Sequence, residues 1–184
     1  MTNTFHLPDT GPFAALILGG TRSGKSRYGE GLVTETAGDF VYVATAEARD
    51  DEMAERITHH QNRRGTDWRL IEEPVDLPGV LRRQVSENDV VLIDCLTLWL
   101  GNLMEAQTDI AASTSDLLAA VKACPGRLVF ISNEVGQGIV PDNAMARQFR
   151  DEAGWLHQSL AAEIDAALVV MAGLPLILKA PPQG

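Results

Sequence analysis

Five apolar residues, Ala14, Ala15, Leu16, Ile17 and Leu18, run straight into Gly19-Gly20-Thr21-Arg22-Ser23-Gly24-Lys25-Ser26. The run is too short for a helix and is closed by glycine, so it predicts a buried strand. The residues after it match Gly-x-x-x-x-Gly-Lys-Ser, the spacing of a phosphate-cradling loop. Gly19 and Gly24 can take backbone angles closed to other residues, so the loop can curl with its N–H groups inward. A helix predicted over residues 25–37 adds the positive end of its dipole to that anion site. Lys25 brings a mobile positive charge to the outer phosphates, and Ser26 a hydroxyl suited to Mg²⁺. The plainer explanation is a glycine-rich turn with a chance Lys-Ser. The strand before and the helix after favour the nucleotide loop.

Charge and length narrow what surrounds this loop. A chain of 184 residues suits one domain, with residues 1–12 a flexible lead-in rich in proline and glycine and residues 13–184 a single nucleotide-binding domain. A net charge of −10 argues against a nucleic-acid surface, which needs surplus lysine and arginine. No apolar run approaches a membrane span, and the polar N-terminus lacks the apolar core of a secretory signal, so a cytoplasmic protein is expected. Cys95 and Cys124 match no metal spacing, and Cys95 reads as a buried free thiol.

Further apolar runs recur at residues 40–44, 90–93, 128–132, 167–172 and 176–178, with a weaker one at 68–71. Continuous rather than alternating runs predict strands covered on both faces, and the helical patterns between them predict a mostly parallel α/β sheet. The short gap at Gly173, Leu174 and Pro175 suits a hairpin, so the last two strands are expected to be antiparallel. The clearest helix is residues 142–166, where Met145, Phe149, Leu156, Leu160 and Ile164 keep one stripe. Others are expected at 51–62, at 76–85, and over 96–123 with a break near 107–114.

Three further groups carry possible chemistry. Asp94 closes an apolar strand, where a nucleotide site places its magnesium carboxylate; it could equally cap the following helix. On a helix over residues 51–62, Met53, Ile57 and His60 share one face, while His59 points away with Glu52, Arg56 and Arg63. Two arginines attract a triphosphate and disfavour protonation of His59, and a neutral imidazole can attack phosphorus. An ordinary solvated helix face explains the same pattern. Asn133 and Glu134 follow another strand and read either as acceptor contacts or as a plain strand-to-loop turn.

Taken together, Gly19 to Arg27, Tyr42-Val43-Ala44-Thr45-Ala46, Asp51-Glu52-Met53, Arg56-Ile57 and His59-His60 resemble one family. So do Trp68-Arg69, Glu72, the block Asn133-Glu134-Val135-Gly136-Gln137-Gly138-Ile139-Val140-Pro141, and Arg147, Phe149-Arg150-Asp151 and Gly154. It is the bifunctional adenosylcobinamide kinase / adenosylcobinamide-phosphate guanylyltransferase family of cobalamin biosynthesis. The resemblance implies a P-loop NTPase-like fold, a homotrimer, Mg²⁺, and ATP and GTP as substrates alongside adenosylcobinamide. It implies two reactions: phosphorylation of adenosylcobinamide, then GMP transfer from GTP through a GMP-histidine intermediate to give adenosylcobinamide-GDP. His59 stands at the position of that histidine, with Lys25 as the second catalytic residue. Nucleotide contacts fall on Gly19, Gly20, Thr21, Arg22, Ser23, Gly24, Lys25, Ser26, Ala44, Thr45, Ala46, His60, Gln61, Asn62, Arg63, Glu72 and Asp94, and metal contacts on Ser26 and Asp94. The chain departs from the family pattern at His157, where asparagine is usual, and at Asp94, where relatives can carry glutamate. The rivals are a P-loop small-molecule kinase without guanylyl transfer and a nucleotide-driven switch ATPase.

Overall fold

Apolar runs bounded by turn residues settle into strands where both sheet faces are covered. In the computed structural model, which describes residues 5–46 and 68–181, these are β1 (Phe13–Gly19), β2 (Asp39–Ala44), β3 (Arg69–Glu72), β4 (Asp89–Asp94), β5 (Arg127–Asn133), β6 (Ala166–Met171) and β7 (Leu174–Lys179). They form one sheet in the order β3-β2-β4-β5-β1-β6-β7. Every neighbouring pair is parallel except β6 and β7, which form the expected antiparallel hairpin. Ala172 and Gly173 turn that hairpin with φ of 52° and 79°. Two central residues of this hand match the twist of the flanking strands.

The described helices are α1 (Lys25–Thr34), α2 (Leu77–Gln84), α3 (Leu96–Glu105), α4 (Ile110–Ala123) and α5 (Ala144–Glu163). Asp76, Asp109 and Asn143 cap α2, α4 and α5, accepting from Gly79, Ala112 and Ala146 N–H at 3.0, 3.0 and 2.7 Å. These caps correct two expected limits. The 96–123 stretch breaks at 106–109 because Asp109 starts α4, and α5 begins one residue after Asn143 rather than at Asp142. α1 stops at Thr34, short of residue 37, and Thr36 Oγ1 closes its end on Leu32 O at 2.7 Å. The helix expected over residues 51–62 lies outside the described residues.

One sheet face packs against α2, α3, α4 and α5 through Leu77, Leu81, Trp99, Leu103, Leu117, Leu156 and Leu160. The other holds Leu32 and Val33 of α1 against Ile17, Leu92 and Ile131. Here α1 comes so close that a Cβ at Gly29 would lie 2.7 Å from Ile131 Cδ1. The same face also takes Phe5 and Leu7, both buried. Residues 5–12 therefore depart from the expectation of a flexible lead-in. The physical reason is the burial of these two side chains in that apolar cluster, Phe5 with its ring 6.2 Å from Phe13, about 1.5–3 kcal/mol for each large side chain buried.

Arg127 at the start of β5 ties this segment down. Its guanidinium is almost fully buried and donates to the carbonyls of Asp9, of Ala37 at 2.8 Å and of Asn88 at 2.8 Å. Arg127→Ala strands those three carbonyls, and we expect a loss of about 2–4 kcal/mol in urea unfolding. An unchanged midpoint would show that the tie contributes nothing.

Candidate nucleotide site

Strand register decides which loops meet. Gly19 pairs with Asn133, and Ala44 with both Asp94 and Glu72. Asp94 is level with Ile131, so β5 runs two residues past it. The carboxyl ends of five parallel strands thus bring Gly19, Ala44, Glu72, Asp94 and Asn133 to one edge. Open α/β sheets bind ligands at that edge.

The loop between β1 and α1 has the backbone its glycines were expected to allow. Gly24 sits at φ 98° and ψ 0° as the N-cap of α1, and Arg22 has φ 57°. A side chain at residue 24 meets a second obstacle, because its Cβ would lie 3.1 Å from Gly173 Cα. Ser23 N–H donates to Gly20 O at 3.2 Å, and Lys25 Nζ donates to the same carbonyl at 3.2 Å. The Lys25 side chain is therefore folded over the loop and largely buried. Ser26 is half-buried in the first turn of α1, while Gly20, Thr21 and Arg22 are exposed. Donors with this arrangement at a helix N-terminus bind phosphate. The β6–β7 turn supports the loop from behind, with Gly173 N–H donating to Ser23 O at 2.8 Å. Nothing local in the sequence signals that contact, because it joins residues 150 positions apart.

Asp94 ends β4 with its carboxylate half-buried, and Tyr42 OH donates to Oδ2 at 3.0 Å. The cap position of α3 belongs to Cys95, so Asp94 does not occupy it. The Cys95 thiol is pushed up to about 11, first by burial and then by the Asp94 charge, while Thr97, the Leu98 backbone and Lys25 pull it down. Lys25 follows the end of β1 and Asp94 ends β4, so both belong to the carboxyl edge of the sheet. Cys95 is a buried free thiol, as expected, and stays protonated at neutral pH. No cluster of three His, Cys, Asp or Glu able to hold a metal occurs among the described residues. Mg²⁺ at a nucleotide needs less: one or two protein oxygens, the rest being phosphate and water. A Ser26 hydroxyl and an Asp94 carboxylate are hard oxygen donors of that kind.

Other expected contacts are placed differently. Thr45 is fully buried, and its hydroxyl, N–H and carbonyl bond to Cys95, Asp94 and Asn102 respectively. Its side chain braces the edge through Cys95. Ala44 is buried, Ala46 half-buried and Glu72 exposed beside it. Asn133 turns its amide onto Thr97 Oγ1 at 2.8 Å, and Glu134 Oε1 accepts from Gly136 N–H at 2.6 Å. Both therefore brace the edge and its loop. His59, His60, Gln61, Asn62 and Arg63 lie outside the described residues.

The profile described as "Cobinamide kinase / cobinamide phosphate guanyltransferase" matches residues 15–178. The chain belongs to that family. A bifunctional adenosylcobalamin biosynthesis protein CobP of Pseudomonas aeruginosa is 44% identical over 169 residues, covering 91% of this chain and 98% of that protein. The CobU proteins of Escherichia coli and Salmonella typhimurium are 37% and 39% identical, each match covering 89% of this chain and 98% of theirs. Two solved structures share the fold at low identity. The flagellar accessory protein FlaH of Methanocaldococcus jannaschii has a TM-score of 0.50 at 11% identity, covering 94% of this chain and 80% of its own. A Pyrococcus horikoshii protein, PH0250, has 0.53 at 8%, covering 96% and 88%. The fold is that of a P-loop NTPase. As a cobinamide kinase / cobinamide phosphate guanyltransferase, the chain is a transferase of cobalamin biosynthesis, and the carboxyl edge of its sheet is where the nucleotide loop sits. Among its described residues no helix is long and apolar enough to cross a membrane.

His157 is buried on α5 and shares a 2.7 Å hydrogen bond with Ser132 near the end of β5. Burial pushes its imidazole below the usual 6.5, against a smaller upward pull from Glu134. The unfolded chain then takes a proton more readily than the folded one. The neutral ring's contribution is full above pH 6.5 and is lost as pH falls below it. His157→Asn should flatten the fall in urea stability between about pH 7 and pH 5. Equal pH slopes in both proteins would contradict this.

Proposed function

We propose that one triphosphate cradle serves both reactions and that His59 carries GMP between GTP and the acceptor. The observation that supports this reading most is the loop itself: a left-handed Gly24 and a folded-over Lys25, with Asp94 ending β4 at the same edge of the sheet, in a chain of this family. In the kinase step, the loop N–H groups and Lys25 hold ATP or GTP with its γ-phosphorus toward the aminopropanol hydroxyl of adenosylcobinamide. No covalent enzyme intermediate is needed. In the transferase step, a neutral His59 nitrogen attacks the α-phosphorus of GTP. The α–β phosphoanhydride P–O bond breaks, and pyrophosphate leaves with the electron pair into the loop donors and Lys25. An oxygen of adenosylcobinamide phosphate then attacks the same phosphorus, the P–N bond breaks, and His59 is regenerated. Mg²⁺ held by Ser26 and Asp94 would supply charge neutralisation at the phosphates.

The same reading makes the protein a cytoplasmic homotrimer. The side chains of β7 support an assembly: Leu174, Leu176 and Leu178 are exposed along the sheet's last strand, with Met171 exposed at the end of β6. Apolar side chains along an edge strand are usually covered by another chain or element. Light scattering should give three times the 19.9 kDa chain mass; a monomer would contradict it.

Incubation with α-labelled GTP tests the histidine step. An acid-labile, alkali-stable protein adduct is expected in wild type and absent in His59→Ala. A folded wild-type protein that phosphorylates adenosylcobinamide yet never takes up the label would leave only the kinase reading.

A further inference from the structure

A carboxylate at the end of a strand can swing between rotamers unless something fixes it. At Asp94 two side chains from the neighbouring strand's end do so. Tyr42, level with Leu92 in the adjoining β2, donates its hydroxyl to Asp94 Oδ2 at 3.0 Å. Its ring is buried and meets Trp68 edge-on, with centroids 6.2 Å apart; Phe40 also contacts Trp68, with centroids 5.6 Å apart. The hydroxyl is thereby carried on a fixed ring, and a bond to an ionised carboxylate is among the stronger kinds. Thr45 fixes the backbone on the other side. Its Oγ1 accepts from Cys95 N–H and donates to Cys95 O, both at 2.8 Å, and its own N–H donates to Asp94 O at 3.3 Å. Asn102 in turn donates to Thr45 O at 2.8 Å and to Pro74 O at 2.9 Å, so the clamp is itself anchored to α3.

We propose that Tyr42 and Thr45 are positioning residues that aim the Asp94 carboxylate at the metal–phosphate corner of the site. Neither touches the phosphates. Tyr42 sets the carboxylate and Thr45 the peptide that carries it. The inference rests on the reading in which Asp94 holds Mg²⁺. Hydrogen bonds to a metal-binding carboxylate tune its affinity, and their loss typically weakens it tenfold or more.

The test is equilibrium binding of a fluorescent, non-hydrolysable GTP analogue, titrated with Mg²⁺ and repeated in EDTA. Tyr42→Phe and Thr45→Val remove one hydroxyl each at nearly constant shape. Each should raise the half-saturating Mg²⁺ about tenfold, Tyr42→Phe should leave the EDTA affinity at the wild-type value, and Thr45→Ser should restore the wild-type curve. Asp94→Asn should raise it further, and adding Tyr42→Phe to Asp94→Asn should change nothing more. A merely structural role would instead lower the melting temperature and weaken binding equally with and without metal. If Asp94→Asn shifts the Mg²⁺ curve but Tyr42→Phe and Thr45→Val do not, the positioning role is overturned and the metal reading stands. If Asp94→Asn itself leaves the curve unmoved, the metal reading falls and the inference with it. Should Thr45→Val not fold, Tyr42→Phe decides.

Discussion

A triphosphate is held well only by donors that cannot turn away from it. Main-chain N–H groups meet that condition when the loop carrying them is itself immobile. Here Gly24 must take φ 98°, and the loop rests on the β6–β7 turn through Ser23 O and Gly173 N–H. A chain of net charge −10 thus holds one small region where fixed dipoles and Lys25 favour an anion. The rest of the sheet edge is arranged about that region.

The edge is stiff because its polar groups satisfy one another. Thr45, Cys95, Thr97, Asn102 and Asn133 form a buried network joining the ends of β2, β4 and β5 to α3. A half-satisfied network of this kind would be worse than an apolar core, so each bond that is made also specifies the edge's geometry. Burial, and then the Asp94 charge, keep the Cys95 thiol protonated at neutral pH and so out of the chemistry.

The strands were legible because continuous apolar runs carry their own signal, and the hairpin because Gly-Leu-Pro separates two of them. The loop was legible because its chemistry is contiguous. What joins distant segments was not. The sheet order, the burial of Phe5 and Leu7 and the Arg127 tie depend on register and face coverage, which no local window contains. Thr45 shows the limit most clearly. A family likeness puts it among nucleotide contacts, and the fold buries its side chain and ties it to Cys95, Asp94 and Asn102, which no local window announces. Its hydroxyl reads the same in sequence whether it faces a ligand or a neighbouring peptide. The histidine pair belongs to a stretch outside the described residues, so its role rests on the family and on helical spacing.

The most direct measurement is a crystal structure of the protein with Mn²⁺ and a non-hydrolysable GTP analogue. The account predicts the β- and γ-phosphates within hydrogen-bond distance of the N–H groups of residues 22–26, and the metal's anomalous peak between Ser26 and Asp94. Phosphates bound away from that loop, or a metal held with Asp94 turned elsewhere, would contradict it.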